Sequence, residues 1–371
     1  MKTILHISKY YYPTLGGIES VAKYLAEGLD GFGNVVVCFS TDGKYHEDEV
    51  NGVKVFRIPV DFSFMSQDVC FSYYHYLKKI YGMYNPEVLL VHCPNPFVYP
   101  LVMRVVKRTD KVVLLWHSDI LSKKLMYTLV KPFETSILKR ADMIISTSPN
   151  YIPFSVINGY VNKVQVLQNG IYTPNFVKHE GDDERINVIK DKYAGKKIIF
   201  YVGRHVAYKG LDCLIESERF VKSDCVFLIG GSGPLTETLK KKASGRQRIK
   251  FLGRLSDDDL RCYLYASDIF GFSSVTKAEA FGVALAEAMY CGCVPVCFTL
   301  NGSGVNWVSL GGQTGEEVAL RDVKAYAVAI DKVLSDKCLH GKYATAGHDR
   351  IKENFTCKAA VEKANKIFNS F

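Results

Sequence analysis

Short apolar runs alternate with amphipathic stretches along almost the whole chain, and no other feature restricts the fold so much. The pattern is that of strand and crossover-helix units repeated around parallel sheets. In the first half the strand candidates are residues 3–8, 35–39, 53–58, 88–92, 112–116, 143–146 and 164–167. A polar stretch without periodicity, 172–196, reads as a surface connection. A second series follows at 197–202, 225–229, 249–252, 269–272 and 294–298. At 371 residues the chain exceeds the ~250–300 residues at which single cores stop growing. The expectation is therefore two doubly wound α/β domains, the first spanning 1–171 and the second beginning at 172. Ligands of such sheets bind beyond the carboxyl ends of the strands, in the cleft that two such domains imply, so the residues after each strand are the ones to question.

Composition narrows the class. The chain is 48% hydrophobic and 23% charged, the balance of a packed globular protein. Its net charge of +9 suits a phosphate-bearing ligand or an anionic membrane surface and does not single out nucleic acid, which is not expected as a partner. No run is long enough to span a membrane, and Ser8-Lys9 interrupts the N-terminal apolar stretch too soon for a signal peptide, so a cytoplasmic location is expected. The 11 cysteines form no even framework; they read as reduced, mostly buried residues, and Cys291, Cys293 and Cys297 fit no zinc spacing. No metal and no cofactor is expected.

Several motifs lie where chemistry would be placed. In segment 277–289 a loop runs into a helix near Gly282, where unpaired amides of Phe281, Gly282 and Val283 and the positive end of the helix dipole would receive a phosphate pair. Glu287 follows Val283 by four residues, about 6 Å along the same face. A carboxylate there suits ribose hydroxyls, and Glu279, back in the loop, would face what hangs off the other phosphate. The bland alternative is a pair of helix-start acids. After another strand come Arg204 and Lys209, a planar fork and a point charge able to neutralise a diphosphate. Gly230-Gly231-Ser232-Gly233-Pro234 lacks the third glycine of a dinucleotide fingerprint; Gly231 either lines a nucleobase pocket or closes a turn. Gly16 and Gly17 join the first strand to its helix, where backbone passes close to a ligand or simply turns. His117 and His92 each end an apolar strand. His117, with Asp119 nearby, is the stronger candidate, and His92 stays in the background.

Taken together, Gly16-Gly17-Ile18-Glu19, His117, Arg204 with Lys209, and Glu279 with Glu287 resemble the retaining glycosyltransferase family 4, of the GT-B fold, in order and over nearly the whole chain. The resemblance implies metal-independent transfer from a nucleotide-sugar donor with retention of configuration. Arg204, Lys209 and helix-end amides would stabilise the leaving diphosphate, Glu279 would bind the transferred sugar, Glu287 the ribose, and His117 the sugar at its reacting end. It also implies an acceptor-binding first domain, a donor-binding second domain over 172–356, and a final segment, 357–371, returning to the first. Two departures stand out: Ser273 where the family often has proline, and no glutamate after the glycines of 301–308.

Many such relatives act on polyprenyl-linked saccharide acceptors. Segment 121–132 mixes basic and apolar residues as a membrane-surface helix does, and aromatics crowd 62–84, which suggests peripheral attachment to the inner membrane; ordinary packing is the alternative. General similarity around 302–307 to transferases of cell-surface polysaccharide synthesis leans toward GDP-mannose, with a UDP-hexose open. A GT-B-like sugar-nucleotide epimerase and a non-catalytic nucleotide-sugar-binding module are the competing classes.

Overall fold

The computed structural model describes all residues except 1, 15, 65–66, 121–123 and 371, and the side chains of 124–126. The chain divides into two compact units, 1–168 with 360–371, and 169–359.

The first unit contains ten strands among the described residues. They are β1 (Lys2–Ile7), β2 (Phe32–Phe39), β3 (His46–Val50), β4 (Val53–Ile58), β5 (Phe62–Phe64), β6 (Gln67–Val69), β7 (Val88–Cys93), β8 (Lys111–Trp116), β9 (Met143–Ser146) and β10 (Val164–Val166). Eight form one sheet in the order β10-β9-β8-β7-β1-β2-β4-β3. All its neighbours are parallel except β3, which turns back on β4 as a charged edge. The two-residue turn, Asn51-Gly52, holds both residues at positive φ (49° and 82°), the geometry an Asn-Gly hairpin supplies. The order reverses between β1 and β7, so the loops after these strands part at their carboxyl ends.

The second unit repeats the plan with β11 (Lys197–Val202), β12 (Cys225–Gly230), β13 (Ile249–Gly253), β14 (Ile269–Phe272), β15 (Val294–Phe298) and β16 (Glu316–Val318). Their order is β13-β12-β11-β14-β15-β16, wholly parallel, with its reversal between β11 and β14. The inner strands β12, β14 and β15 are buried on both faces, which explains their unbroken apolar runs. The two Rossmann-like sheets match the expected fold class strand for strand at every run singled out in the sequence.

The connection 172–196 corrects the sequence reading. It contains a helix, Asp182–Lys192, which buries Ile186 as its one apolar residue and so shows no stripe. Charge holds it instead. Asp182, Asp183 and Glu184 occupy its first turn and Lys190 and Lys192 its last, in the sense the helix dipole favours. Asp182 also receives Nε and Nη2 of Arg261 at 2.6 and 3.2 Å, with both side chains only 3% exposed. Arg261 stands on the helix Asp257–Ala266.

The C-terminal helix, Cys357–Asn369, crosses the boundary: from Ala360 it belongs to the first unit. Ala364 and Phe368 pack with Ile4, Val21 and Leu25, and Asn365 Nδ2 donates to Gly28 O at 3.1 Å. Gly28 is required there, because a Cβ would lie 2.7 Å from Val361. All eleven cysteines are free thiols, and nine are buried. Among the described residues no helix is long and apolar enough to cross a membrane.

Removing one partner of a buried ion pair leaves an uncompensated charge. Asp182→Ala is expected to lower the unfolding free energy of the second unit by about 3 kcal/mol. Urea titration followed at Trp307 checks this; a loss below about 1 kcal/mol would show that Asp258, which also pairs with Arg261, suffices.

Candidate active site

The site in the second unit grows from the strand reversal. The loop after β11 carries Arg204 and Lys209, and the loop after β14 carries Glu279. Lys209 Nζ donates to Glu279 Oε2, joining two loops 70 residues apart in sequence. Ser274 Oγ donates to the same oxygen at 3.0 Å. Glu279 is buried, yet its Oε1 has no partner among the described residues and is not sealed from solvent. One carboxylate oxygen is thus spent on holding the loops and the other is free to accept hydroxyls.

The backbone around the pair is pinned. Ser273 Oγ donates to Lys209 O at 2.9 Å, so the serine found where the family often has proline ties the two loops together. Ser303 Oγ donates to Glu279 O, and Gly304 N to Ala280 O at 2.8 Å. The segment 301–308 therefore buttresses the glutamate loop from behind. Gly210 sits at φ 60°, and a Cβ there would lie 2.1 Å from Ser273 O. Only glycine permits this approach.

The helix Val283–Tyr290 starts as the sequence suggests. Gly282 is its N-cap at φ 91°, with no side-chain cap, so the first-turn amides of Val283, Ala284 and Leu285 have no intrahelical acceptor. Phe281 is core, 3% exposed, with its ring 5.7 Å from that of Phe355. Glu287 is partly buried at the start of the next turn, four residues after Val283, and its carboxylate makes no hydrogen bond or ion pair among the described residues. Loss of hydration, with a smaller contribution from Asp257, raises its carboxyl from 4.5 to about 7. Arg204 is exposed and its side chain is unpaired among the described residues, a cation available to a ligand.

Gly231 belongs to a tightly closed turn. A Cβ there would lie 2.0 Å from Gly203 O, and its φ is 98°. Buried His205, which sequence reasoning passed over, fastens the same loop: its Nδ1 meets Thr236 Oγ1 at 2.9 Å, and that hydroxyl takes Gly233 N–H at 2.9 Å. Pro234 precedes the helix Thr236–Lys242 by two residues and does not start it.

Gly16, Gly17 and His117 belong to the first unit. Gly16 is the extended N-cap of the helix Gly17–Gly28, and a Cβ on it would lie 2.2 Å from Glu19 Oε2, so its close neighbour is the first-turn acid of its own helix. His117 follows β8 and is buried. Its Nε2 lies 3.3 Å from His92 Nδ1, with the rings stacked at 5.6 Å; His6 stacks on His92 at 6.0 Å. The register places these imidazoles on one sheet face. His6 is opposite Leu90, two before His92, and His92 is opposite Leu115, two before His117. Burial pushes His6 down to about 4 and His117 to about 3, and His92 well below the ordinary range, so all three are neutral near pH 7. Asp119 does not meet the His117 ring: its carboxylate takes Trp116 Nε1–H at 3.0 Å and Ser155 Oγ–H at 2.5 Å, bracing the turn. A histidine near the carboxyl end of three neighbouring strands was the available signal for His6.

A family model described as Glycosyltransferase Family 4 matches residues 15–173, and one described as Glycosyl transferases group 1 matches 182–350. The D-rhamnosyltransferase WbpZ of Pseudomonas aeruginosa is 30% identical over 318 residues, covering 84% of this chain and 81% of that protein. The O-antigen chain mannosyltransferase C of Escherichia coli is 26% identical over 374 residues, covering 99% and 98%. Among solved structures, HepE of Anabaena in complex with UDP superposes with TM-score 0.78 at 18% identity over the whole of both chains. WaaG, a glycosyltransferase involved in lipopolysaccharide biosynthesis, gives 0.71 at 15% over 98% of this chain and 99% of that one. At these identities the structural likeness carries the fold, which is GT-B.

A carboxyl raised by burial is neutral below its folded pKa, so its contribution to stability is present at low pH and lost as pH rises from about 4.5 to about 7. Between pH 5 and 8 the wild type is expected to lose about 2 kcal/mol relative to Glu287→Gln. Urea unfolding of both proteins, read at Trp307, checks the difference; parallel pH profiles would contradict it.

Proposed function

The chain belongs to the glycosyl transferases of group 1, glycosyltransferase family 4, and from that premise we propose that it moves a hexose from a nucleotide sugar to a lipid-linked saccharide during O-antigen or capsule synthesis. The observation that carries the site assignment is the Lys209–Glu279 pair at the strand reversal, with one carboxylate oxygen left free. As the bond between sugar and diphosphate breaks, negative charge gathers on the leaving group. Arg204, Lys209 and the amides of Val283 and its neighbours are the preorganised positive groups that meet it, in the role a divalent ion takes elsewhere. We assign Glu279 to hydroxyls of the transferred sugar, Glu287 to the ribose and His117 to the sugar's reacting end, with retention of configuration and no metal requirement. Gly16 and Gly17 are assigned to the donor side of the first domain and Gly231 to the base pocket.

Mannose from GDP-mannose is the favoured donor. It is supported by likeness, over 99% of this chain, to a protein named as an O-antigen chain mannosyltransferase. A UDP-linked hexose is the second reading, supported by the structures of HepE in complex with UDP and UDP-glucose. Glu279→Ala and Lys209→Ala are each expected to cut transfer at least 100-fold while the protein stays folded, since each removes a charged group from the transition state. Full activity in either variant, or a strict need for added metal after EDTA treatment, would refute the assignment. Thermal shifts with GDP- and UDP-sugars decide the donor.

Membrane attachment at the cytoplasmic face is part of the same proposal. The helix Lys124–Arg140 exposes Leu129 and Phe133, four residues apart on one face, with Lys131 nearby; the first three residues of segment 121–132 lie outside the described residues. The crowded stretch 62–84 divides, exposing Phe62, Phe64 and Phe71 and burying Tyr73 and Tyr81. The protein is expected to sediment with anionic liposomes at low salt and to be released at high salt; failure to sediment at low salt would end this part of the proposal.

A further inference from the structure

The stacked imidazoles of the first unit contain more order than the reading of His117 uses. Each ring is neutral and therefore carries one proton on one of two nitrogens, and the surroundings decide which. Asn34 Nδ2 donates to Leu29 O at 3.0 Å, which turns its Oδ1 toward His6 Nε2, 3.0 Å away. That oxygen can only accept, so His6 is protonated on Nε2. Its Nδ1 is left bare, and it is buried with no partner.

The hydrogen bond between His92 Nδ1 and His117 Nε2 has two possible directions. If His117 donates, the proton of His92 must sit on Nε2. That nitrogen is sealed and has no partner, and the stacked ring of His6 does not hydrogen-bond to it. A buried N–H without an acceptor is the costlier defect, about 1–3 kcal/mol, whereas a bare acceptor nitrogen is better tolerated. If His92 donates from Nδ1, its sealed Nε2 is merely bare. His117 then accepts at Nε2 and carries its own proton on Nδ1. That nitrogen has no partner among the described residues and is not sealed from solvent.

We propose that His92 is a positioning residue, which holds His117 in the Nδ1-protonated tautomer so that it offers substrate an N–H donor and not an acceptor. The substrate group it would take is therefore an oxygen able to accept, such as a sugar hydroxyl or glycosidic oxygen. His117 hydrogen-bonds through its backbone as well, N–H to Cys93 O at 3.0 Å, so its main chain and its ring are both held. The burial that keeps His117 neutral also keeps this choice of tautomer independent of pH across the neutral range. The inference rests on the proposed role of His117 toward substrate, but the tautomer itself does not.

The test is nitrogen NMR of the imidazoles in the full chain labelled with 15N-histidine, with the signals of His92 and His117 assigned by their loss in His92→Asn and His117→Asn. In the wild type both rings should show a protonated Nδ1 and a bare Nε2. In His92→Leu the His117 signals should move toward an Nε2-protonated or mixed form, and kcat/KM for transfer should fall at least tenfold with the thermal shift by nucleoside diphosphate unchanged. His92→Asn, whose amide can place an N–H close to where the imidazole Nδ1–H stood, should restore both. A wild-type His117 protonated on Nε2 would overturn the proposal outright, and needs no variant to fold. So would a His117 tautomer unchanged in His92→Leu, or transfer unaffected by that substitution. Full transfer in His117→Ala would instead defeat the role assigned to His117 toward substrate, and is distinguishable because the tautomers are read without turnover.

Discussion

A parallel sheet can be built only by carrying the chain back across a face after each strand, and where those returns change side the loops part. In the second unit this happens between β11 and β14. Everything charged in the candidate site depends on that parting. Lys209 comes from one of the diverging loops and Glu279 from the other, and their ion pair closes the gap that topology opens. Three serines, Ser273, Ser274 and Ser303, then fix the backbone and the spent carboxylate oxygen, leaving the second oxygen for a ligand. One oxygen of the carboxylate holds the loops, and the other keeps its capacity to accept.

The polar clusters at the strand ends of the two units are built by different means. In the second, charge is kept and paired: Lys209 with Glu279 at the site, Arg261 with Asp182 beneath the helix Asp182–Lys192. In the first, beside paired charges such as Lys9 with Asp68, three strand-end histidines are neutral imidazoles stacked on one sheet face, where burial makes a proton unfavourable. A neutral ring can act only as a directional hydrogen-bond donor or acceptor, so its value to a transferase lies in orientation. A paired ion can stabilise charge that develops on a leaving group.

Close approach of backbone explains the glycines that matter. At Gly210 and Gly231 a Cβ would fall within about 2 Å of a carbonyl oxygen of the neighbouring loop, Ser273 O and Gly203 O respectively. Without these contacts the loops after β11, β12 and β14 could not lie side by side, and the cations they carry would not share one edge of the sheet.

The strands were legible because a strand buried on both faces has to be an unbroken apolar run, and the sheets followed from their alternation with helices. The edge strands β3 and β16 were not, since solvent removes the pressure for apolar residues. Nor was the helix Asp182–Lys192, which is held by a salt bridge to a residue 79 positions away and not by an apolar stripe. At the site, the residue types and their order pointed to diphosphate chemistry: a helix start without a side-chain cap, an arginine, a lysine and two glutamates. What they could not indicate is which atom is free. That Lys209 spends itself on Glu279, that Arg204 has no pair among the described residues, and that His117 rests on His92 are consequences of distances across the fold. By itself the amino-acid order determined the parallel architecture and the kinds of group available at the strand ends, because local burial and periodicity are written residue by residue. The pairing of those groups was decided only by tertiary structure, because hydrogen bonds form between atoms that the sheet brings together from far apart in the chain.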